Sequence, residues 1–396
     1  MRSRMNSIVS CSEVHQWALL WLMNAEVLKE RGQRSKCTST VVWSIVLRAA
    51  ARMISIFAAC RDLANAPSQQ AVFDALEADL PRTLPVLEKR LNWALTSTWP
   101  SRWQRRRWEL AIDWHWIPYY GQAHQSRNEI CRSKQKQGTT HFHTYATACI
   151  VQYGHRYTLA LTWVRRHEST VTVLRRLLAR IRELGVKIKA LLLDRAFYST
   201  PVTAFLQGEQ VPFLMPVMFR GRKPKKTKKI AAKKGLRWIK RQKAGWYRHT
   251  LKNGTTQATI SVCVAYRTYH NRKKRKRGQQ KLLFAAWRVG GTPTVIRERY
   301  RKRFGIESSF RQLRQARIHT CTRNPHLRLV FVAVALLLRN LWVWIHATLL
   351  AEGRGPAMTL RLELLRFKQL LDWIAQAVVA ILHDGSKPCV TLDELT

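Results

Sequence analysis

Acidic side chains are scarce in this sequence. Only 23 Asp and Glu residues stand against 70 Lys and Arg, a formal net charge of +47 over 396 residues. A chain so poor in acid implies a large polyanionic partner. Nucleic acid leads, an anionic membrane surface follows, and a cationic secreted role is a distant third. No C-x-x-C pair occurs among the eight cysteines. That argues against a zinc ribbon and a thioredoxin-type site, and a reduced cytosolic setting is the simple reading. Cys131, His141, His143 and Cys149 form the one group resembling a metal cluster. Their spacing fits no standard finger, and the surrounding HFHTYATACIVQ alternates as a strand does. No internal repeat is visible, so a solenoid is not indicated. An unbroken membrane-length apolar run is also missing. The nearest, Leu329–Ala351, carries Arg339 and Asn340 at its centre, where a charge is expensive, and reads as a buried core helix. Near the start, WALLWLM is short and follows Glu13 and His15, a poor match to a signal peptide. The expectation is a soluble cytoplasmic protein without a membrane partner.

What is present is a folding sequence, 46% apolar and long enough for two or three domains. Residues before about Trp103 read as helical. ELAIDWHWI then reads as a buried strand closed by Pro118 and Gly121. A polar, basic loop (Gln122–Thr140) leads to a second strand, FHTYATACIVQY, and a tight turn to a third, RYTLALTWV, which should pair antiparallel. The segment ESTVTVLRRLLARIRELG predicts a helix capped by Ser169 or Thr170, with Leu174, Leu177, Leu178 and Ile181 on one face and Gly185 as the stop. VKIKALLLD predicts a strand ending at Asp194, followed by a short helix and the strand VPFLMPVM. Strand–helix–strand alternation implies a parallel portion of a sheet. A lysine-rich stretch and a hairpin turning at Asn253-Gly254 then form a small β insertion. Thr292–Ala316 returns to helix, a long buried helix follows, and TLRLELLRFKQLLDWIAQAVVAIL is a last amphipathic one.

In so basic a chain, an acid inside an apolar strand is informative. Asp113 sits in LAIDWHW and Asp194 ends ALLLD. A carboxylate there is costly unless it is paired or holds a cation. Glu307 is a third, inside RYRKRFGIESSF. At ~100° per residue, Tyr300, Arg303, Glu307 and Arg314 share one narrow stripe of a helix, with Arg311 at its edge. Ile306, Phe310 and Leu313 form the adjoining core stripe. Gly305 inside that helix is locally unfavourable and suggests a close approach of DNA or another backbone.

An Asp on a first strand, an Asp ending a fourth and a Glu on a later helix resemble the RNase H-like DDE transposases. Tyr300, Arg303, Glu307 and Arg314 match the Y-(2)-R-(3)-E-(6)-K signature of the insertion-sequence-four superfamily, with Arg314 in place of Lys. Asp194-Arg195 resembles the start of its second-acid motif. IPYYG, LLLDRAFYS and TRNPHLRLVFVAVALLLRNLWVW look most like the branch typified by halobacterial insertion sequences. The resemblance covers about Trp108 to Ala347. It implies an α/β fold, an RNase H-like mixed sheet flanked by helices, with a β insertion before the Glu-bearing helix. The corresponding organisation is an N-terminal helical region (1–107, possible DNA-end binding), a catalytic core in two parts (108–218 and 290–350), a basic β-rich insertion (219–289), and a C-terminal helical region (351–396, possible dimerisation).

The activity implied is metal-dependent phosphodiester hydrolysis at transposon ends and strand transfer. Asp113, Asp194 and Glu307 would hold two Mg²⁺ ions, with Mn²⁺ as a substitute. Tyr300, Arg303 and Arg314, joined by Arg311 and Arg195, would hold phosphates. Trp287, with Trp238 and Trp246 as rivals, is a candidate to stack on a base turned out of the duplex. The basic runs 223–234 and 272–277 read as backbone contacts. The partners would be double-stranded DNA, as terminal inverted repeats and target, and a second copy of the chain in a homodimeric synaptic complex. The setting would be the nucleoid in a prokaryotic cytoplasm. The competing readings are another RNase H-like nuclease, such as a junction resolvase, and a non-enzymatic basic DNA-binding protein.

Overall fold

A computed structural model describes residues 9–384, except 33–34, 100, 105, 123–127, 153–155, 220–234, 272–275, 352–360 and 362. The basic run 223–234 and most of that at 272–277 therefore lie outside the described residues.

Six helices come first: α1 (Cys11–Met23), α2 (Ser39–Arg52), α3 (Ile56–Arg61), α4 (Gln69–Asp79), α5 (Leu84–Thr96) and α6 (Ser101–Gln104). Ser10 and Glu13 close a reciprocal cap on α1, so the WALLWLM run begins a well-defined core helix. Next come β1 (Arg107–Pro118), β2 (Cys131–Lys136), β3 (Thr139–Ile150) and β4 (Thr158–Val164). They are followed by α7 (Thr170–Glu183), β5 (Lys187–Leu193), α8 (Thr200–Gly208) and β6 (Phe213–Pro216). The basic insertion supplies α9 (Leu236–Ile239), β7 (Gly245–Asn253), β8 (Thr256–Asn271) and β9 (Lys276–Trp287). The chain then forms α10 (Pro293–Arg301), α11 (Phe304–Gln315), α12 (Pro325–Ile345) and α13 (Phe367–Val379).

All nine strands belong to one mixed sheet. β1 pairs antiparallel with β3 and parallel with β5, β3 pairs antiparallel with β4, and β5 pairs parallel with β6. The order is β4-β3-β1-β5-β6, with the antiparallel hairpin and the parallel portion that the strand pattern anticipates. The insertion strands continue that sheet, because β9 pairs with β6. Their hairpin turns at Gly254, whose φ of +56° suits glycine. Helix α7 obeys its sequence signals: Ser169 caps it, Leu174, Leu177, Leu178 and Ile181 are buried, and Gly185 follows at φ +65°.

Three expectations need correction. The loop expected at Gln122–Thr140 contains β2, which pairs with the start of β3. Its sequence, CRSKQK, is polar because five of its six residues are exposed or half-buried at a sheet margin with no apolar face to reveal it. The last helix begins at Phe367, later than the amphipathic pattern suggests. Its apolar face is also spent inside the chain. Leu370, Leu371, Ile374 and Val378 join one core with α1, α2, α5 and α12, so this face does not offer a dimer surface.

The long α12 and the π-helical turn after it are apolar and long enough to cross a bilayer, yet most of that stretch is buried inside the protein. The two polar residues at its centre have structural work. Asn340 accepts the Thr158 N–H at 2.9 Å and donates to the Thr158 carbonyl at 2.8 Å. On the same strand, Asn92 of α5 accepts from Leu161 N–H at 2.7 Å and donates to its carbonyl at 2.8 Å. Two side-chain amides thus stand in for a neighbouring strand along the outer edge of β4. Each buried peptide group left without such a partner would cost about 1–3 kcal/mol. Arg339 donates to Gln312 of α11 at 3.1 Å and to the Arg156 carbonyl, tying α12 to the Glu-bearing helix.

Candidate active site: three acids around one guanidinium

Ile112 of β1 lies in parallel register with Leu193 of β5. The next residue on each strand is an acid, so Asp113 and Asp194 emerge side by side. Trp114 and Phe197, which follow them, stack with centroids 5.3 Å apart and planes 2° from parallel, fixing the loop after β5 against β1. The Tyr300 hydroxyl donates to the Leu193 carbonyl at 3.3 Å, one residue before Asp194.

Glu307 comes from α11. Between it and the strands lies Arg303, only 6% exposed. One guanidinium nitrogen donates to Asp113 Oδ2 at 2.9 Å and another to Glu307 Oε1 at 2.9 Å. The charge of Asp194 acts on the same guanidinium. Burial lifts the Asp113 carboxyl above the ordinary range; Arg303 and the Trp114 N–H oppose this, and Asp194 adds to it.

The structure places several predicted residues differently. The expected single helix over 292–316 is two, broken at Lys302 and Arg303. Across the break the backbone closes tighter i→i−3 bonds, from Arg303 to Tyr300, Gly305 to Lys302 and Ile306 to Arg303. The four-residue stripe is therefore not continuous. Tyr300 is buried against Phe284, with ring centroids 5.1 Å apart, and positions the Asp194 strand end instead of facing a phosphate. Gly305 is explained by packing: a Cβ there would meet Arg156 Nε at 2.9 Å and the Val151 carbonyl at 3.4 Å. The close neighbour is this chain's own loop. The three acids also do not meet directly. Among the described residues, no three of His, Cys, Asp and Glu stand close enough together to hold a metal ion as placed. They converge on Arg303, which fills the space between Asp113 and Glu307.

Trp287 ends β9 opposite Phe213, which in turn pairs with Leu191. It is level with Leu191, three residues short of Asp194, and packs on the opposite face of the sheet with Ile112 and Phe213, away from the face that carries Asp113. Arg288 lies over its ring at 4.4 Å, and it does not line the acid cluster. Of its rivals, Trp246 donates its indole N–H to the Gly291 carbonyl at 2.9 Å, and Trp238 packs edge-on to Tyr247. Cys131 and Cys149 are buried strand residues, and the His143 ring packs against Tyr119.

Sequence reasoning missed Glu109. It is buried four residues before Asp113 and pairs with Arg299 at 3.1 Å and Lys302 at 2.8 Å, pinning the end of α10 to β1. The signal available was the same one used for Asp113: an acid within an apolar strand.

The family model for the transposase DDE domain matches residues 104–341, a span that contains all three acids and Arg303. The chain belongs to the transposase DDE domain family. It is a DNA transposase, an enzyme of DNA cleavage and strand transfer. No curated protein matches the sequence. Among solved structures, the fold is similar to that of the piggyBac transposase in a cryo-EM synaptic complex with hairpin DNA. The TM-score is 0.50 at 11% identity, covering 93% of this chain and 78% of that one.

In this transposase, Arg195, Arg311 and Arg314 are exposed, Arg195 next to Asp194 in sequence and the other two further along the helix that carries Glu307. His115, two residues beyond Asp113, is buried against Phe310 with ring centroids 4.9 Å apart. Burial first, and then Arg314 and Arg317, lower its pKa to about 3. His15 and His143, buried likewise, are lowered to about 4 and about 3. A folded-state value below the unfolded one means the unfolded chain takes up protons first as pH falls. Stability supplied by neutral His115 is therefore present above about pH 6.5 and is lost as pH drops from there toward 3. Denaturant titrations at pH 7 and pH 5 should show wild type losing more stability than His115→Phe between the two. Equal losses would show that His115 is not held neutral.

Proposed function

We propose that this transposase cuts double-stranded DNA at the terminal inverted repeats of an insertion sequence and joins the freed ends to target DNA. The chemistry is that of the insertion-sequence-four superfamily, in the branch typified by halobacterial insertion sequences. The observation that carries the reading is the shared guanidinium. Arg303 bridges Asp113 and Glu307 beside Asp194, so acids from distant parts of the chain enclose a place that already holds positive charge.

Hard divalent cations fit that place by donor chemistry, since every donor is a carboxylate oxygen. Asp113, Asp194 and Glu307 would hold a pair of Mg²⁺ ions, with Mn²⁺ as a substitute. Bound there, the ions supply charge stabilisation for the attacking and leaving oxygens of a phosphodiester. The chain's own residues do the rest. Tyr300 and the Trp114–Phe197 stack hold Asp194 beside Asp113, and Glu109 anchors the helix break that carries Arg303. Arg303, freed from the carboxylates, pairs with a DNA phosphate. Arg314, Arg311 and Arg195 contact the DNA backbone, setting affinity and salt dependence more than sequence choice. A water frees a 3′-OH at the transposon end, and that 3′-OH attacks the opposite strand or the target. Two copies hold paired ends in a synaptic homodimer, in the nucleoid of a prokaryotic cytoplasm and without a membrane partner.

The test uses DNA flanking the gene. The purified protein with Mg²⁺ should nick that DNA at an inverted repeat and join a pre-cut end to a plasmid, and EDTA should stop both. Cutting without any joining would replace the reading with that of a nuclease such as a junction resolvase.

A further inference from the structure

Beyond Asp113, β1 runs on through His115 and Ile117, alternate residues on the same face, and pairing continues as the Tyr119 N–H donates to the His141 carbonyl at 2.9 Å. Helix α11 runs from Glu307 toward Arg317 alongside it. Both tracks lead to a cleft of about 890 Å³ lined by Tyr119, Tyr120, Tyr145, Arg317, Arg323 and Arg328, among others. At 3.3 Å per strand residue and 1.5 Å per helix residue, its near edge, at Ile117 and Arg317, lies about 13–15 Å along the chain from the acids. That spans about four stacked nucleotides of one strand.

The lining has a definite chemistry. None of its residues is acidic. Arg328 is only 8% exposed, with its guanidinium 5.8 Å over the Tyr119 ring and Nε donating to the Thr322 carbonyl at 2.6 Å. Tyr119 and Tyr145 are buried in the wall. Tyr120 is 71% exposed at the edge, its hydroxyl donating to the Gln137 carbonyl at 2.8 Å, and Arg323 is exposed. A wall of aromatic rings with a buried guanidinium and a basic rim matches one kind of occupant: a flat, polar base carrying a phosphate. The volume suits a single small ligand, and a base-paired duplex is too wide to enter.

We propose that this cleft receives one nucleotide of a DNA strand that has left its duplex, its base against the tyrosines and Arg328 and its phosphate on Arg317 and Arg323. The proposal rests on the reading that the chain acts on DNA, and it assigns the strand's path beyond the acids.

Cys321 also lines the cleft and is exposed, whereas the other six described cysteines are buried. That makes its thiol a local reporter. With Cys389, which lies outside the described residues, replaced by Ser, maleimide labelling of Cys321 is followed with single-stranded dT12 or a 12-base-pair duplex. Saturating dT12 should slow labelling about fivefold or more, and the duplex less than about twofold. Tyr120→Ala and Arg323→Ala, both at exposed positions, should each weaken the dT12 protection. Equal protection by both DNAs, no protection by either, or unchanged protection in both variants would overturn the proposal. Asp113→Asn protein run in parallel separates the two ideas. If it is protected but cannot cut, both readings stand. If it cuts normally, the catalytic reading fails while the footprint still judges the cleft.

Discussion

Asp113→Asn is expected to lower strand cleavage by about 10³-fold, equivalent to about 4 kcal/mol of transition-state stabilisation. Binding of end DNA in a gel shift should stay within about twofold, because the exposed arginines supply that affinity. The substitution keeps shape and a hydrogen-bond acceptor for Arg303 but removes a hard anionic donor from the centre of the site. Asp194→Asn and Glu307→Gln should behave alike, since all three act on one charge-neutralising unit. Any of the three that cuts at the wild-type rate has no role in the reaction.

Arg303→Ala should be the most damaging single change to stability near the site. It strips the partner from Asp113, whose carboxylate is mostly buried and already feels Asp194. Breaking a buried pair from one side costs about 3–5 kcal/mol. Two signatures distinguish this from simple loss of packing. The first is pH. Asp113 titrates above its ordinary value in the folded protein, so the folded state holds its proton longer. Stability is therefore lost as pH rises from near 4 through the folded value. Removing Arg303 lifts that value further, so the variant should regain stability relative to wild type as pH is lowered toward 4. The second is cation dependence. Mg²⁺ or Mn²⁺ should raise the melting temperature of Arg303→Ala more than that of wild type, because the ion replaces the missing charge and binds only the folded form. Arg303→Lys should rescue only part of the loss, since one ammonium cannot reproduce a planar fork bridging two carboxylates. A variant that melts as wild type does at pH 7 would show that the bridge carries no weight.

These effects arise from partners far apart in the chain. Arg303 and Asp113 are separated by 190 residues, so no local pattern announces their pairing. Position within the stripe made Arg303 a phosphate ligand; the fold makes it the counter-charge of the acids. Tyr300 was misplaced for a related reason. A helical wheel assumes an unbroken helix, and the two residues that break this one carry no Pro or Gly signal of their own. Beside the break, Gly305 packs so close to Val151 and Arg156 that a Cβ would have no room. Trp287 looked like a base-stacking candidate because its strand lay in an insertion. Pairing of that strand with β6 sets the ring on the face of the sheet opposite Asp113.

The sequence by itself determined the α/β class, the antiparallel hairpin and the parallel portion of the sheet, helix α7 with its caps, and the strand positions of Asp113 and Asp194. These follow from short-range periodicity and from the cost of placing an acid in an apolar strand, both of which are local. Only the tertiary structure decided that β2 exists, that α13 is covered by α1 and α2, that Asn92 and Asn340 complete the edge of β4, and that three acids surround one arginine. Each of those depends on which surfaces meet after the chain closes, and a contact between residues so far apart leaves no imprint on the spacing of their neighbours.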